Sequence, residues 1–375
     1  MDLALYDPEY GYYARADRRS GRAGDFFTSV DVGPLFGELV AVQLAEMFEL
    51  LSGESRIPNP ESGLDLVEAG AGNGRLSADI LRAARQHHPA FYDAVRLHLV
   101  EASAAARAAQ VDTLGDLRDR LESSGPGLPP SFEGVLVANE LLDAMPTHQV
   151  VMREGGLREI YVAVSPQSQV RSHQSVTGLT TGDLRLTAVE GPPSTPALQD
   201  YLDRLGQTLD VGWRAEINLA AAAWVRDAAR RLRRGFMILI DYGHEARELY
   251  SPTHSAGTLT SFTAHRSAGA ESPRDDTPPW LQQPGEQDIT SHVDFTTVRV
   301  AAEAEGLNTI AFLDQTYFLM GLIDSWSAEV LAERSRALKT LIAPGGLGST
   351  EKVLILGKGV GRPPLKGCSF KVRAT

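Results

Sequence analysis

Short apolar runs alternate with stretches of helical periodicity through most of the chain. Runs of this length predict buried strands, and stretches in which apolar residues recur every three or four positions predict helices. The expected helices cover residues 34–51, 75–86, 102–110 and 224–234, and the expected strands cover 64–68, 95–101, 131–138, 236–241 and, at the sheet edge, 352–357. Such alternation predicts a doubly wound α/β sheet whose parallel strands are joined by right-handed crossovers.

Two regions interrupt this rhythm and divide the chain. Residues 152–210 mix short β-like runs with Gly, Pro, Ser and Thr, and the stretch from 251 is rich in the same residues. Loops this long in a compact enzyme usually act as lids or binding loops. We therefore expect an N-terminal extension over 1–60, followed by a main domain over 61–375 with insertions around 152–210 and 251–335.

Composition narrows the class of protein but not its function. The 43% of hydrophobic residues is typical of a globular chain, and no run of apolar residues predicts membrane insertion. A net charge of −12 argues against a nucleic-acid partner. The single cysteine, Cys368, argues against disulfides and a cysteine-based metal site, so we expect a cytoplasmic protein and assign no metal ligand.

The most informative motif joins the first strand to the following helix. Gly70, Gly72 and Gly74 occupy alternate positions directly after the acid Glu68. Glycines allow a tight turn and a close approach of the backbone to a ligand. The spacing differs from the G-x-G-x-x-G that places a pyrophosphate on a helix, which disfavours a nicotinamide dehydrogenase. It suits S-adenosylmethionine, which has no phosphate.

Acidic residues follow the strands next to this loop. Glu101 ends the second predicted strand, where a carboxylate can accept hydrogen bonds from two ribose hydroxyls. Glu68 is placed to hold the amino-acid part of the cofactor through a water or a backbone group. A tight turn and a solvated acid would be the structural alternative. The order of strand, glycines, helix and acid favours cofactor binding.

A third polar loop follows the strand over 131–138. It contains Asn139, Glu140 and Asp143, which should face the reactive methyl group because ligands bind beyond the carboxyl ends of parallel strands. If the acceptor is a guanidinium, one carboxylate must orient it and promote loss of a proton. Glu140 and Asp143 are the candidates, although they could instead cap a helix or bind backbone N–H groups. His244, after the strand over 236–241, is an open case between a substrate channel and a structural role.

The ordered set of motifs resembles the MidA family, bacterial and mitochondrial relatives of a complex I assembly protein arginine methyltransferase. The following segments carry the resemblance: Tyr6-Asp7-Pro8-Glu9-Tyr10-Gly11-Tyr12-Tyr13, Gly24-Asp25-Phe26-Phe27-Thr28-Ser29, Phe36-Gly37-Glu38-Leu39, the glycine motif from Glu68 to Gly74, His98-Leu99-Val100-Glu101, Asn139-Glu140-Leu141-Leu142-Asp143, Asp241-Tyr242-Gly243 and Asp288-Ile289-Thr290. Ala71 departs from the proline of many relatives. A helix precedes Tyr6 in relatives, so a late start or a missing segment is expected here.

The resemblance implies a Rossmann-like class I methyltransferase that uses S-adenosylmethionine. It also implies a protein substrate bearing an arginine, such as a subunit of respiratory complex I. Asp25, in the glycine-rich N-terminal loop, is a further candidate for closing the pocket around the cofactor. Two alternatives remain open: a methyltransferase for another protein or a small molecule, and a non-catalytic assembly factor that binds the cofactor.

Overall fold

The computed structural model describes residues 1–14, 28–53, 63–166, 184–263, 266–269, 278–324, 326–343 and 346–370. The helices are α1 Asp2–Tyr6, α2 Leu35–Gly53, α3 Arg75–His87, α4 Pro89–Ala94, α5 Ala104–Leu114, α6 Ala197–Leu205, α7 Leu219–Arg231, α8 Ala246–Leu249, α9 Phe295–Glu303, α10 Gln315–Ile323, α11 Ala328–Glu333, α12 Ser335–Ile342 and α13 Leu347–Thr350. Among the described residues, no helix is both long and apolar enough to cross a bilayer.

The strands form one large sheet and two smaller ones. In chain order they are β1 Leu64–Ala69, β2 Val95–Val100, β3 Leu121–Gly125, β4 Phe132–Asn139, β5 His148–Arg153, β6 Gly156–Pro166, β7 Leu184–Gly191, β8 Arg214–Ile217, β9 Leu232–His244, β10 Thr260–Thr263, β11 Arg266–Ala268, β12 Asp288–Thr290, β13 Val293–Asp294, β14 Asn308–Asp314 and β15 Glu351–Lys358. The large sheet has the order β14-β15-β9-β4-β1-β2-β3, with β13 beside the end of β9.

The predicted doubly wound sheet is confirmed. Strands β3, β2, β1, β4 and β9 run parallel, and the chain order changes direction between β1 and β4. Alternate residues of β4 enter two separate cores: Val135 and Val137 face one, Leu136 and Ala138 the other. Helices α2 and α3 cover the first face, and α7 and α9 cover the second. The direction change at β1 and β4 is where such sheets bind ligands.

The last strand is not at the sheet edge, so that prediction was wrong. β15 lies between β9 and β14 and pairs antiparallel with both. The edge strand β14 comes from residues 308–314, inside the stretch assigned to the second insertion. Most side chains of this seven-residue strand are only half-buried. The sequence therefore lacks the clear alternation of apolar and polar residues that would have predicted a strand here.

The predicted helix over 224–234 is shifted in the structure. α7 begins at Leu219 because the Asn218 side chain caps it by accepting the Ala221 N–H at 2.8 Å. Its alanine-rich start carries little amphipathic signal. The helix ends at Arg231, and β9 begins at the next residue.

The two predicted insertions and the N-terminal extension differ in how they relate to the core. β5 to β8 form a separate antiparallel sheet in the order β7-β6-β5-β8, inserted between β4 and β9. The second region contributes the small sheet β11-β10-β12 but also returns β14 to the large sheet. α2 of the extension packs on α3, and a Cβ at Gly37 would lie 2.5 Å from the Cβ of Asp79. Helix α2 is therefore part of the main core, whereas Leu5 and Tyr12 pack in a separate cluster with Leu259 and Ile289.

Candidate active site

The glycine loop, residues Gly70–Gly74, leaves β1 and enters α3 as predicted. All three glycines have a left-handed backbone, with φ of 73°, 52° and 83° for Gly70, Gly72 and Gly74. The N–H groups of Gly70 and Ala71 both donate to the Val100 carbonyl, at 2.9 and 3.1 Å, which binds the loop to the end of β2. A Cβ built on Gly72 would meet no atom within 4 Å. The outer side of the loop is therefore open to a ligand.

Glu101 lies against the glycine loop at the end of β2. Its Oε2 accepts the Gly72 N–H at 2.9 Å, and its Oε1 accepts the Ser103 N–H at 2.7 Å. An ionised carboxylate has about four acceptor positions, so each oxygen can accept one more hydrogen bond. The carboxylate is thus fixed in place with capacity for two ribose hydroxyls. Glu101 follows the second strand as predicted and, in addition, holds the loop; its contact with the ribose stays a prediction.

Glu68 is buried beneath the loop. Its carboxylate accepts hydrogen bonds from the Ser77 hydroxyl and from the Ser77 N–H in the first turn of α3. Burial raises the pKa of Glu68 to about 7, despite these hydrogen bonds, because desolvation disfavours the charged form. The described contacts give Glu68 a role in joining β1 to α3. Its predicted contact with the amino-acid part of the cofactor stays a prediction.

Four carboxyl groups gather at the same edge of the large sheet, and we call Glu140, Asp143, Asp241 and Glu351 the acid cluster. Glu140 and Asp143 follow β4, Asp241 lies near the end of β9, and Glu351 begins the antiparallel β15. Within the part of the chain that the structure describes, no ion pair involves any of the four. The cluster therefore presents uncompensated acidic groups next to the glycine loop.

Burial raises the pKa values of all four acids, and mutual repulsion adds to this effect for Glu140, Asp143 and Glu351. Desolvation, followed by the charge of Glu351, raises the pKa of Glu140 well above its usual value. Desolvation and the charge of Asp241 do the same for Asp143. Burial raises the pKa of Asp241 to about 7 and that of Glu351 to about 8. A cation entering the cluster would reverse this balance by favouring the ionised forms.

Asp241 sets the shape of the loop that carries the other acids. Its Oδ2 accepts the N–H groups of Leu141 and Leu142, at 3.1 and 2.8 Å. Glu140 itself has a φ of 51°, unusual for a residue with a side chain, and its N–H donates to the Ile240 carbonyl at 2.8 Å. Strained backbone of this kind often occurs at functional sites. The neighbouring strand thus fixes the direction of the Glu140 side chain.

Two side-chain oxygen atoms in this loop have no hydrogen-bond partner among the described residues. Asp143 is only 6% exposed, and its Oδ1 has no hydrogen-bond partner. The buried Oδ1 of Asn139 is also unpartnered, although the Asn139 amide donates to Glu140. Buried acceptors without partners are costly, so they mark positions where a ligand can supply a donor. Both atoms lie in the loop that was predicted to face the methyl group.

The aromatic N-terminal segment packs over this loop. The Tyr6 hydroxyl donates to the Ala144 carbonyl at 2.9 Å, and the Tyr13 hydroxyl donates to Asp288 at 2.9 Å. The two rings lie 5.4 Å apart. These tyrosines, with Glu351 and the Ser29 hydroxyl that donates to it, were missed by the search for site residues. Repeated tyrosines in the first thirteen residues were the available signal.

The remaining site predictions have mixed outcomes. Gly70, Gly72, Gly74, Glu101, Asn139, Glu140 and Asp143 come together at one edge of the sheet. Asp25 lies outside the described residues, so its predicted role stays a prediction. His244 lies beyond Asp241 at the end of β9, packed against two other histidines.

The geometry fits S-adenosylmethionine on the observations above. The open side of Gly72 leaves room for the cofactor, and Glu101 offers acceptors for its ribose. The unpartnered Asn139 oxygen lies at the end of the adjacent strand, β4. These groups lie at the position where the strand order changes direction.

Comparison with known proteins agrees with this geometry. A sequence family described as "Putative S-adenosyl-L-methionine-dependent methyltransferase" matches residues 39–313. Protein arginine methyltransferase NDUFAF7, mitochondrial, of Mus musculus is 27% identical over 89% of this chain and 72% of that protein. Its Drosophila melanogaster homolog is 27% identical over 96% of this chain and 80% of that protein.

A solved structure supports both the fold and the cofactor. The protein from Burkholderia thailandensis crystallised with S-adenosyl-homocysteine has a TM-score of 0.79 and 27% identity, covering 98% of this chain and 88% of that one. The sequence family spans most of the chain, and the related structure holds the product of the same cofactor. The chain therefore belongs to this family of S-adenosylmethionine-dependent methyltransferases.

Proposed function

We propose that this enzyme methylates the guanidinium group of an arginine in a partner protein. The observation that carries the proposal is the acid cluster, which places buried carboxyl groups without a cationic partner beside the glycine loop. A guanidinium is a permanent cation with five N–H donors. It would supply both the missing positive charge and a donor for Asp143 Oδ1.

The residues divide the work between binding and positioning. The open side of Gly72, Glu101 and Asn139 would hold the cofactor, and Asp143 and Glu140 would orient the guanidinium. When bound, S-adenosylmethionine supplies the methyl group to a guanidinium nitrogen and leaves as S-adenosylhomocysteine. A nitrogen proton must depart, and an ionised Asp143 or Glu140 is placed to accept it. Tyr6 and Tyr13 would help exclude water, because they pack over the loop.

The substrate class also follows the curated relatives, which are named protein arginine methyltransferases. We extend the proposal to a respiratory complex I subunit, as the MidA resemblance implies, and to the cytoplasm, which suits a chain with one cysteine. Neither extension follows from the site itself.

Product identification tests the proposal. Purified enzyme, isotopically labelled S-adenosylmethionine and a proteome from cells lacking the gene should yield labelled methylarginine by mass spectrometry. Label on lysine or on a small molecule would overturn the arginine assignment while leaving a methyltransferase. A cofactor-binding but inactive Asp143→Asn enzyme distinguishes the assembly-factor alternative. If it fully restores complex I assembly in those cells, binding rather than methylation is the essential output.

A further inference from the structure

Three histidines from separate segments converge beyond the end of β9. His244 ends that strand, His254 ends the short turn over residues 252–254, and His292 lies between β12 and β13. One ring nitrogen from each lies within 4.8 Å of the others. The ring centroids are 4.7, 5.2 and 5.9 Å apart. The fold, rather than a local motif, therefore builds this histidine cluster.

Hydrogen bonding leaves lone pairs in the cluster without donors. His254 Nδ1 lies 3.0 Å from the Glu248 carbonyl, which can only accept, so that nitrogen carries the proton and Nε2 keeps a lone pair. The Nδ1 atoms of His244 and His292 are buried and have no hydrogen-bond partner within the part of the chain that the structure describes. Glu248 Oε1 lies 3.2 Å from His244 Nδ1, but without hydrogen-bonding alignment. Unpartnered buried nitrogens are costly, which points to an absent ligand.

The close packing of the three rings favours a metal ion over protons as that ligand. Protonating such closely packed rings would set like charges against one another. Neutral imidazole is the form that coordinates metals. The partly exposed Glu248 carboxylate beside His244 adds a negative charge that favours a cation.

We propose that His244, His254 and His292 bind one divalent transition-metal ion, for which Zn²⁺ is the best-suited probe. Three imidazoles and no thiolate form the donor set of an open zinc site, with water in the fourth position. Zn–N bonds of roughly 2.0–2.1 Å place tetrahedral donors roughly 3.3–3.4 Å apart. The present separation of up to 4.8 Å requires the rings to close by side-chain rotation. All three side chains are half-buried, so an ion can enter.

The hydrogen bonds that hold the histidine cluster resemble those made by metal-binding histidines in other proteins. The His254 Nδ1–H donates to a backbone carbonyl, the contact that orients a metal-ligating imidazole. His292 donates its own backbone N–H to Thr258 at 3.0 Å, which fixes the segment that carries it. The His254 ring and the backbone at His292 are therefore positioned before the ion arrives, and the rings of His244 and His292 are left to close by rotation.

The ion would tie together three segments beside the acid cluster without belonging to it. His292 follows Ser291, whose N–H donates to the Asp143 carbonyl at 3.0 Å. His244 lies three residues after Asp241 on β9. A bound ion would thus restrain the far side of the loop that carries Asp143. We expect it to stabilise the folded enzyme by mass action.

Metal titration of the full-length, chelator-stripped enzyme tests this proposal. Calorimetry with Zn²⁺ alone should show one site per chain, and Co²⁺ should give the visible spectrum of a tetrahedral ion. His254→Ala and His292→Ala should each weaken Zn²⁺ binding at least roughly 100-fold, since even second contacts account for about 10- to 100-fold. His87→Ala, an exposed histidine at the end of α3, is the matched control and should bind as the wild type does.

Two readouts keep the outcome decisive. Binding of S-adenosylhomocysteine by the metal-free variants reports that they are folded, and it tests the cofactor site separately from the metal. Zn²⁺ should raise the Tm of the wild type and of His87→Ala, but not that of His254→Ala. Unchanged Zn²⁺ affinity in folded His254→Ala, or no saturable binding by the wild type, would overturn the proposal. His254→Ala remains informative if His292→Ala does not fold.

Discussion

The glycine loop and Glu101 come from one continuous stretch of chain, residues 70–101, whereas the acid cluster is assembled from distant segments. The glycine loop and Glu101 are separated by only α3, α4 and β2, and N–H groups of the loop hold them together by donating to the Val100 carbonyl and the Glu101 carboxylate. Glu140, Asp241 and Glu351 lie more than a hundred residues apart and meet only because β4, β9 and β15 are adjacent. A local motif can thus bind a cofactor that many enzymes share, whereas the proposed substrate pocket forms only when the complete sheet has folded.

The largest expected effect on cofactor affinity is at Gly72, in the locally built half of the site. Gly72→Val should reduce affinity for S-adenosylhomocysteine by more than roughly 100-fold, because a branched side chain fills the open side of the loop and disfavours its backbone. Gly115→Val is the matched control: Gly115 has a φ of 55° and equally open surroundings, but caps the end of α5. Calorimetry should show normal binding in that control. Equal losses in both variants would indicate that strain, not ligand access, is responsible.

A smaller effect is expected at Glu101. Glu101→Gln should weaken S-adenosylhomocysteine binding by roughly 1.5–3 kcal/mol, because it removes a charged acceptor. The structure adds a second expectation: the new amide NH₂ would face the N–H of Gly72 or Ser103, so the loop should also loosen. Hydrogen exchange of the Gly72 amide would measure that loosening. Calorimetry showing unchanged affinity would remove Glu101 from the cofactor site.

A third effect is the pH dependence of stability, in which a comparison of wild type with a Glu351 variant isolates one member of the acid cluster. Glu351 binds its proton more tightly in the folded chain, with a pKa of about 8, than in the unfolded chain. Its contribution to stability is therefore complete below about pH 4 and is lost as the pH rises through about 8, by roughly 1.4 kcal/mol per unit of pKa difference at most.

Glu351→Gln cannot titrate, so its stability relative to the wild type should increase between pH 5 and pH 8. Urea unfolding at several pH values measures this difference. Glu122→Gln, on the exposed side of β3, is the matched control and should keep a constant offset from the wild type. Parallel curves for wild type and Glu351→Gln would show that Glu351 is not buried as a neutral acid.

Much of the fold was predictable because its strands are strongly apolar. β1 is buried at every position, and the strands over 95–101 and 131–138 were placed within one residue of their observed ends. β14 was missed because its burial is partial, and the early start of α7 was missed because alanines carry a weak periodic signal. The sequence therefore predicted the strands that are fully buried and did not predict the strand whose side chains are only half-buried.

The residues of the candidate site also fall into those that local sequence motifs predict and those that only the folded sheet reveals. Gly72 and Glu101 were found because the glycine spacing and a strand-ending acid are visible locally. Glu351 could not be found, because its place beside Glu140 depends on the antiparallel pairing of β15 with β9. The convergence of His254 and His292 was hidden for the same reason, since loops bring them together.

The most direct test of the central claim measures cofactor binding and methyl transfer in one variant, Asp143→Asn. Asparagine preserves the shape of the side chain but cannot carry the charge that orients a guanidinium. S-adenosylhomocysteine affinity should stay within about twofold of the wild type, while kcat for an arginine-containing substrate should fall roughly 10²- to 10³-fold, the range for losing one electrostatic contact in the transition state. Glu122→Gln should retain full activity. Normal turnover by folded Asp143→Asn would contradict the account.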